Sequence, residues 1–188
     1  MKNYKTYIYI IVIVTALIVT VVGLTYAYFS WNSTSENKDV TVNVTVEGLS
    51  ENDITYTAST NNVELIPVAS KDSGRITTIS ISQSAIASAT ATFYLTLTTL
   101  PSSLINSTLK YEFVSVSGGN ETTLTPSNSN FSTNSQGDTI TLTTQTLSQN
   151  TTYNYKLYIW IDGTVVNPNV MQNQDYQFDL YVEVTDQV

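Results

Sequence analysis

Apolar residues follow two different patterns along this chain. From Ile8 to Leu24 they run almost without a break, interrupted only by Tyr9, Thr15, Thr20 and Gly23. At ~1.5 Å rise per residue, such a run predicts one hydrophobic helix able to cover most of a ~30 Å hydrocarbon layer. Beyond Lys38 the pattern changes to period two. Val40, Val42, Val44 and Val46 alternate with Thr41, Asn43, Thr45 and Glu47, which predicts a half-buried strand closed by Gly48. Ile54 to Ala58 and Val63 to Val68 predict short strands around an Asn61-Asn62 turn, with Pro67 placing the second at an edge.

The alternation continues downstream. Lys71 to Gly74 reads as a turn, followed by a strand from Arg75 to Ser82. There the offset between Ile76 and Ile79 predicts a bulge. Ala85 to Ala91 is a stretch of small residues. Thr92 to Leu100 predicts a strand with Phe93, Leu95 and Leu97 on one face, and Pro101 to Ile105 a single helical turn. Leu109 to Val116 and Glu121 to Thr125 form a hairpin through Gly118-Gly119-Asn120. After a polar loop holding Phe131 come strands at Asp138 to Gln145, Thr152 to Ile161 and Tyr176 to Val184, the last two separated by a turn-rich loop. Many short strands spaced by turn signals, with no long helix after residue 29, predict an all-β fold: an antiparallel β-sandwich of jelly-roll or Greek-key type. One N-terminal hydrophobic helix precedes it. The predicted organisation is 1–27 hydrophobic segment, 28–38 N-terminal arm and 39–188 sandwich.

Lys2 and Lys5 precede the apolar run and no acid does, so everything after Tyr28 is expected to be exported. The segment is a signal peptide or a membrane anchor. Thr25 and Ala27 supply small residues at -3 and -1 of a cut before Tyr28. Gly23-Leu-Thr25-Tyr26-Ala27-Tyr-Phe29 resembles the Gly-x-Thr-aromatic-Ala-x-Phe signature of signal peptides cut by the specialised (SipW-type) peptidase that matures the TasA/camelysin family. Asn169 to Gln187 resembles that family's last strand, and the Trp160 to Gly163 turn is similar to that of its small secreted members. Tyr28 stands where the family starts its mature chain with a small residue. The resemblance implies a secreted β-sandwich that polymerises into surface or biofilm-matrix fibres. It also implies donor-strand exchange, with Tyr28, Phe29 and Trp31 as an apolar strand completing the sheet edge of another copy. The other reading of these three aromatics is as residues at a membrane boundary.

Charge and composition then narrow the function classes. The chain has 7 basic and 15 acidic residues, net -8; removing residues 1–27 takes away only Lys2 and Lys5, leaving 5 against 15, net -10. Such a surface repels nucleic acid and anionic lipid. There is no Cys and no His. That excludes Ser-His-Asp and Cys-His nucleophiles, His/Cys zinc sites and a zincin mechanism. No disulfide braces the fold.

Few constellations carry chemistry. Ser35-x-x-Lys38 matches one motif of penicillin-recognising enzymes but lacks its companions. Asp162, Asp175 and Asp179 are candidate oxygen ligands for Ca²⁺, set against the plainer reading of a solvated acidic loop. Asn32, Asn43, Asn106, Asn120, Asn130 and Asn150 begin Asn-x-Ser/Thr sequons. Tyr158, Trp160 and Tyr181 fall on the outward side of their strands, a candidate aromatic contact face for sugars or a partner; the competing reading is that a loop or sheet covers it. The expectation is a non-enzymatic, cofactor-free extracellular protein that polymerises with itself, meeting signal peptidase during export and membrane only through residues 8–27. The alternative is a membrane-anchored or secreted adhesion module that binds carbohydrate.

Overall fold

The computed structural model describes residues 12–17, 53–61, 65, 67–105, 107–164 and 176–186, together with the backbone of 38–47. The chain divides into two compact units, Met1–Asn32 and Ser33–Val188. In the first, residues 12–17 are helical and exposed. No helix among the described residues is long and apolar enough to cross a membrane. Thr25, Ala27, Tyr28, Phe29 and Trp31 lie outside the described residues, so the cleavage site and the candidate donor strand are known by sequence alone.

Among the described residues the second unit is a two-sheet sandwich of ten strands: β1 (Lys38–Glu47), β2 (Ile54–Thr60), β3 (Pro67–Val68), β4 (Arg75–Gln83), β5 (Ser88–Thr99), β6 (Leu109–Ser117), β7 (Asn120–Thr123), β8 (Thr139–Ser148), β9 (Thr152–Asp162) and β10 (Tyr176–Asp186). One sheet runs β1-β10-β5-β8 and the other β2-β4-β9-β6-β7, with β3 paired to β9. The all-β sandwich expected from alternation is therefore present. Two pairings are parallel, β1 with β10 and the two-residue β3 with β9; the others are antiparallel.

Alternation places the core. On β5 and β10, Ala89, Ala91, Phe93, Leu95, Leu97, Tyr176, Phe178, Leu180, Val182 and Val184 turn inward and are buried. From the other sheet, Ile79, Ile81, Phe113, Tyr155, Leu157, Ile159 and Ile161 meet them. Phe93 is fully buried, with the Phe113 ring at 5.0 Å and the Tyr155 ring at 4.7 Å. Burial pushes the Tyr155 phenol up to about 12. Phe131, placed by sequence in a polar loop, is a core residue stacked on Phe178 at 5.3 Å.

The expected bulge between Ile76 and Ile79 does not occur. Arg75, Thr77, Ile79, Ile81 and Gln83 all turn inward in unbroken register, and Ile76 points out. The registers shift instead at Gln177/Asp179, against β5, and at Phe93/Tyr94, where β8 inserts Leu142. Asn61, read from sequence as part of a turn, locks β2 to β4. Its side chain accepts from the Ile76 amide at 2.8 Å and donates to the Gly74 carbonyl at 3.2 Å.

Candidate functional site

The outer face of the β2-β4-β9-β6-β7 sheet carries a shallow open groove of about 310 Å³. Strand register builds it from two rows. Thr57, Ser80 and Asn154 stand side by side in one, and Ser59, Thr78 and Lys156 in the other. Val116, in register with Asn154 from β6, closes the far side. Each of these positions is solvent-facing because its strand neighbours, such as Ile79 and Leu157, are committed to the core. Ser59 and Thr78 hydroxyls pair at 2.8 Å.

Lys156 is the charged member of the lining, and its charge is already answered. Its ammonium donates to Glu121 Oε1 at 2.8 Å. The Tyr158 hydroxyl donates to the same oxygen at 2.6 Å. Lys71 sits 2.7 Å from Glu112 and 3.5 Å from Glu121, and Thr123 donates to Glu112 at 2.9 Å. Glu121 is held below the usual carboxylate range, first by the Lys156 bond and then by Tyr158. Lys156 is raised, chiefly by its bond to Glu121. The groove wall is therefore close to electrically neutral, and its working groups are hydroxyls and an amide that donate and accept alike.

Sequence reasoning put Tyr158, Trp160 and Tyr181 on one exposed aromatic face. The structure separates them. Tyr158 and Trp160 lie on the outer side of β9, whereas Tyr181 lies on β10 in the opposite sheet. Tyr158 is also buried, at 1% exposure, so it cannot act as a stacking platform. Its ring lies under the Lys71 ammonium at 4.6 Å, a cation–π contact. Burial, then the Glu121 bond, raises its phenol. The covering element is a 3-10 turn at Lys71–Ser73, capped by the Ser70 hydroxyl accepting from the Asp72 amide at 3.3 Å. Gly74 ends the turn tightly against Trp160. Tyr181 instead pairs with Tyr94 at 5.9 Å, and Tyr94 donates to Glu183 at 3.1 Å.

The remaining candidates also separate. Asp162 binds Lys110 at 2.6 Å and accepts from the Thr164 amide and hydroxyl, which pulls its carboxyl down to about 2. Asp179, in the sheet opposite Asp162, takes a hydrogen bond from Thr98 on the neighbouring strand β5, and Asp175 lies outside the described residues. No group of three possible metal-ligating side chains occurs among the described residues. Among the sequons, Asn43 falls in β1, Asn120 begins β7, and Asn150 follows β8 with a left-handed φ of 56°. The groove was not found by sequence reasoning. Its signal was a run of Thr and Ser at outward positions of β2 and β4, which alternation alone reads as ordinary solvated surface.

No family model and no curated protein sequence matches the chain. Among solved structures, CpGH89CBM32-5 from Clostridium perfringens, in complex with GalNAc-beta-1,3-galactose, is similar at a TM-score of 0.31 and 13% identity. The match covers 72% of this chain and 96% of that one. At that score the likeness says nothing of this chain's ligand.

Proposed function

We propose that this chain is an exported, non-enzymatic adhesion module whose sandwich binds a neutral, hydroxyl-rich ligand of the carbohydrate class in the outer groove. The observation that supports it is the lining itself: Thr57, Ser59, Thr78, Ser80 and Asn154 present hydroxyl and amide groups together, beside a lysine whose charge is compensated. A sugar edge offers alternating donors and acceptors that such a wall can match, without the desolvation cost of an ion. No His or Cys is available to turn these hydroxyls into nucleophiles. Binding is expected to be weak, because the groove is shallow and its aromatic lining residue, Tyr155, is buried with its ring against Phe93 and Phe113 in the core, out of reach of a sugar. The test is titration of the chain with a panel of neutral oligosaccharides, followed by Asn154→Ala and Thr78→Val in the chain. Binding to at least one glycan, weakened about tenfold by either substitution through the loss of a polar contact, is the expected result. Glycan binding untouched by both variants, or no binding across the panel, removes this reading.

A second reading is a fibre subunit joined by donor-strand exchange through Tyr28, Phe29 and Trp31. One observation favours it. On edge strand β2, Tyr56 faces the inner side yet is 47% exposed, while its register partner Ile81 is fully buried. The core is thus open along β2, beside a strand edge that pairs with nothing among the described residues. An apolar arm from another copy fits such an opening.

A further inference from the structure

β8 is the outer strand of its sheet, paired to β5 on one side and to nothing else among the described residues. Its ten residues, TITLTTQTLS, contain no charge, no proline and no glycine. Natural edge strands are normally blunted by such residues, because an uncovered row of amides and carbonyls invites another strand. A bulge also blunts an edge, and β8 has one, at Leu142. That bulge lies at the middle of the strand and inverts the alternation there. Thr139 and Thr141 point outward before it, and Thr144 and Thr146 point outward after it, in register with Thr96, Tyr94, Thr92 and Thr90. Cross-strand hydroxyl contacts, Thr96 to Thr139 at 3.0 Å and Thr92 to Thr144 at 3.3 Å, fix that face.

From this geometry we infer that β8 is a self-recognition edge, whose partner is β8 of a second copy, antiparallel about a two-fold axis between Leu142 and Thr143. That centre sets Thr139 opposite Thr146 and Thr141 opposite Thr144 on the outer face. On the inner face it sets Ile140 opposite Gln145. A strand whose two halves are mirror-related in facing is complementary to itself. The result is one continuous eight-stranded sheet across the two copies.

Charge selects this edge over the others. The chain carries net -8, so copies repel unless they meet where no charge stands. Neither β8 nor its neighbour β5 has an Asp, Glu, Lys or Arg, and Asp138, the carboxylate just before β8, accepts from the Ser135 amide at 2.8 Å. The nearest charged strand is β10, with Asp179, Glu183 and Asp186. In the paired sheet the two β10 strands lie five strand spacings apart, about 24 Å, against a screening length of about 8 Å at physiological salt. The opposite edge, β1, carries Lys38, Asp39 and Glu47 directly beside β10. Edge strand β2 is uncharged but has only seven residues.

The chain has no cysteine, so introduced thiols report pairing without background. Directly opposed residues of an antiparallel pair have Cβ atoms about 4.5–5.5 Å apart, close to disulfide range. The experiment is diamide oxidation of the full-length chain in detergent, read on non-reducing gels. Thr141→Cys/Thr144→Cys is expected to give at least tenfold more covalent dimer than Thr57→Cys on β2 or Thr151→Cys in the β8–β9 turn. A double variant that stays monomeric, or that links no faster than either control, overturns the proposal. Sedimentation gives the second arm: Thr141→Lys/Thr144→Lys places lysines opposite one another across the axis, so less dimer than in the native chain is expected. An unchanged dimer population overturns it as well.

Discussion

Gly74→Ala sets two effects of opposite sign against each other, and the structure decides between them. Gly74 has φ -86° and ψ -166°, an extended conformation that alanine adopts freely. Judged by backbone alone, the substitution stabilises by about 0.4–1 kcal/mol, because alanine has less freedom to lose from the unfolded chain. The space around the residue argues the other way. A Cβ there would stand 2.6 Å from Trp160 Cβ, 2.7 Å from the Ile159 carbonyl oxygen and 3.1 Å from the Lys71 carbonyl oxygen. Comfortable carbon–carbon contact is about 3.5–4.0 Å, so the first overlap is about 1 Å deep. None of the three atoms is the free end of a flexible side chain. The turn must lift off β9 or the strand must yield, and overpacking of this kind costs about 1–3 kcal/mol. The steric term exceeds the entropic one, leaving a net loss of about 1–2 kcal/mol. For a domain of this size that lowers Tm by about 2–8 °C. Thermal and urea melts of the full chain, read by circular dichroism, measure it. A variant as stable as the native chain, or more so, would refute the close packing of the turn on Trp160.

Two other perturbations test the Asp162 ion pair and the N-terminal arm. Asp162 has its carboxyl drawn from 3.8 to about 2 by Lys110 and Thr164, so its contribution is present above about pH 4 and is lost as pH falls through about 2. Denaturant midpoints measured from pH 5 down to pH 2 should therefore fall less steeply in Asp162→Asn than in the native chain, and parallel curves would dismiss the pair as a source of acid sensitivity. Deleting residues 28–37 should leave a folded sandwich, because the core described above is built from β2 onward, and should abolish any filaments seen by electron microscopy; filaments that persist without the arm exclude donor-strand exchange.

Most strands were legible because one face of each is buried and the other is not, which writes a period of two into the sequence. Tyr176, Phe178, Leu180, Val182 and Val184 are the clearest case: they alternate with Gln177, Asp179, Tyr181 and Glu183, and all five are buried. The reading failed where an outward face is also covered. Ile76 is apolar and outward, in register with Tyr158 beside the Lys71–Ser73 turn. Counted as an inward residue, it forced a bulge that the strand does not have. The same cover hides Tyr158, whose ring is sealed by Lys71 and whose hydroxyl is claimed by Glu121, partners 87 and 37 positions away in sequence. No local pattern carries that information.

Alternation also assigns a side chain to one of two sides without saying which sheet it belongs to. Tyr158 and Tyr181 both point outward, yet they occupy opposite exteriors of the sandwich, because β9 and β10 are consecutive in sequence and belong to different sheets. The same limit hid the parallel pairing of β1 with β10, which joins Val40 to Phe178 across almost the whole sandwich sequence. It hid the edges as well, since whether a strand is an edge depends on which neighbours it lacks. For β8 the consequence is direct. Read along the chain, TITLTTQTLS is a modest amphipathic strand; placed at the end of its sheet, it is ten uncharged residues with an open side. The chemistry of that strand is in the sequence, but its freedom to pair is a property of the topology alone.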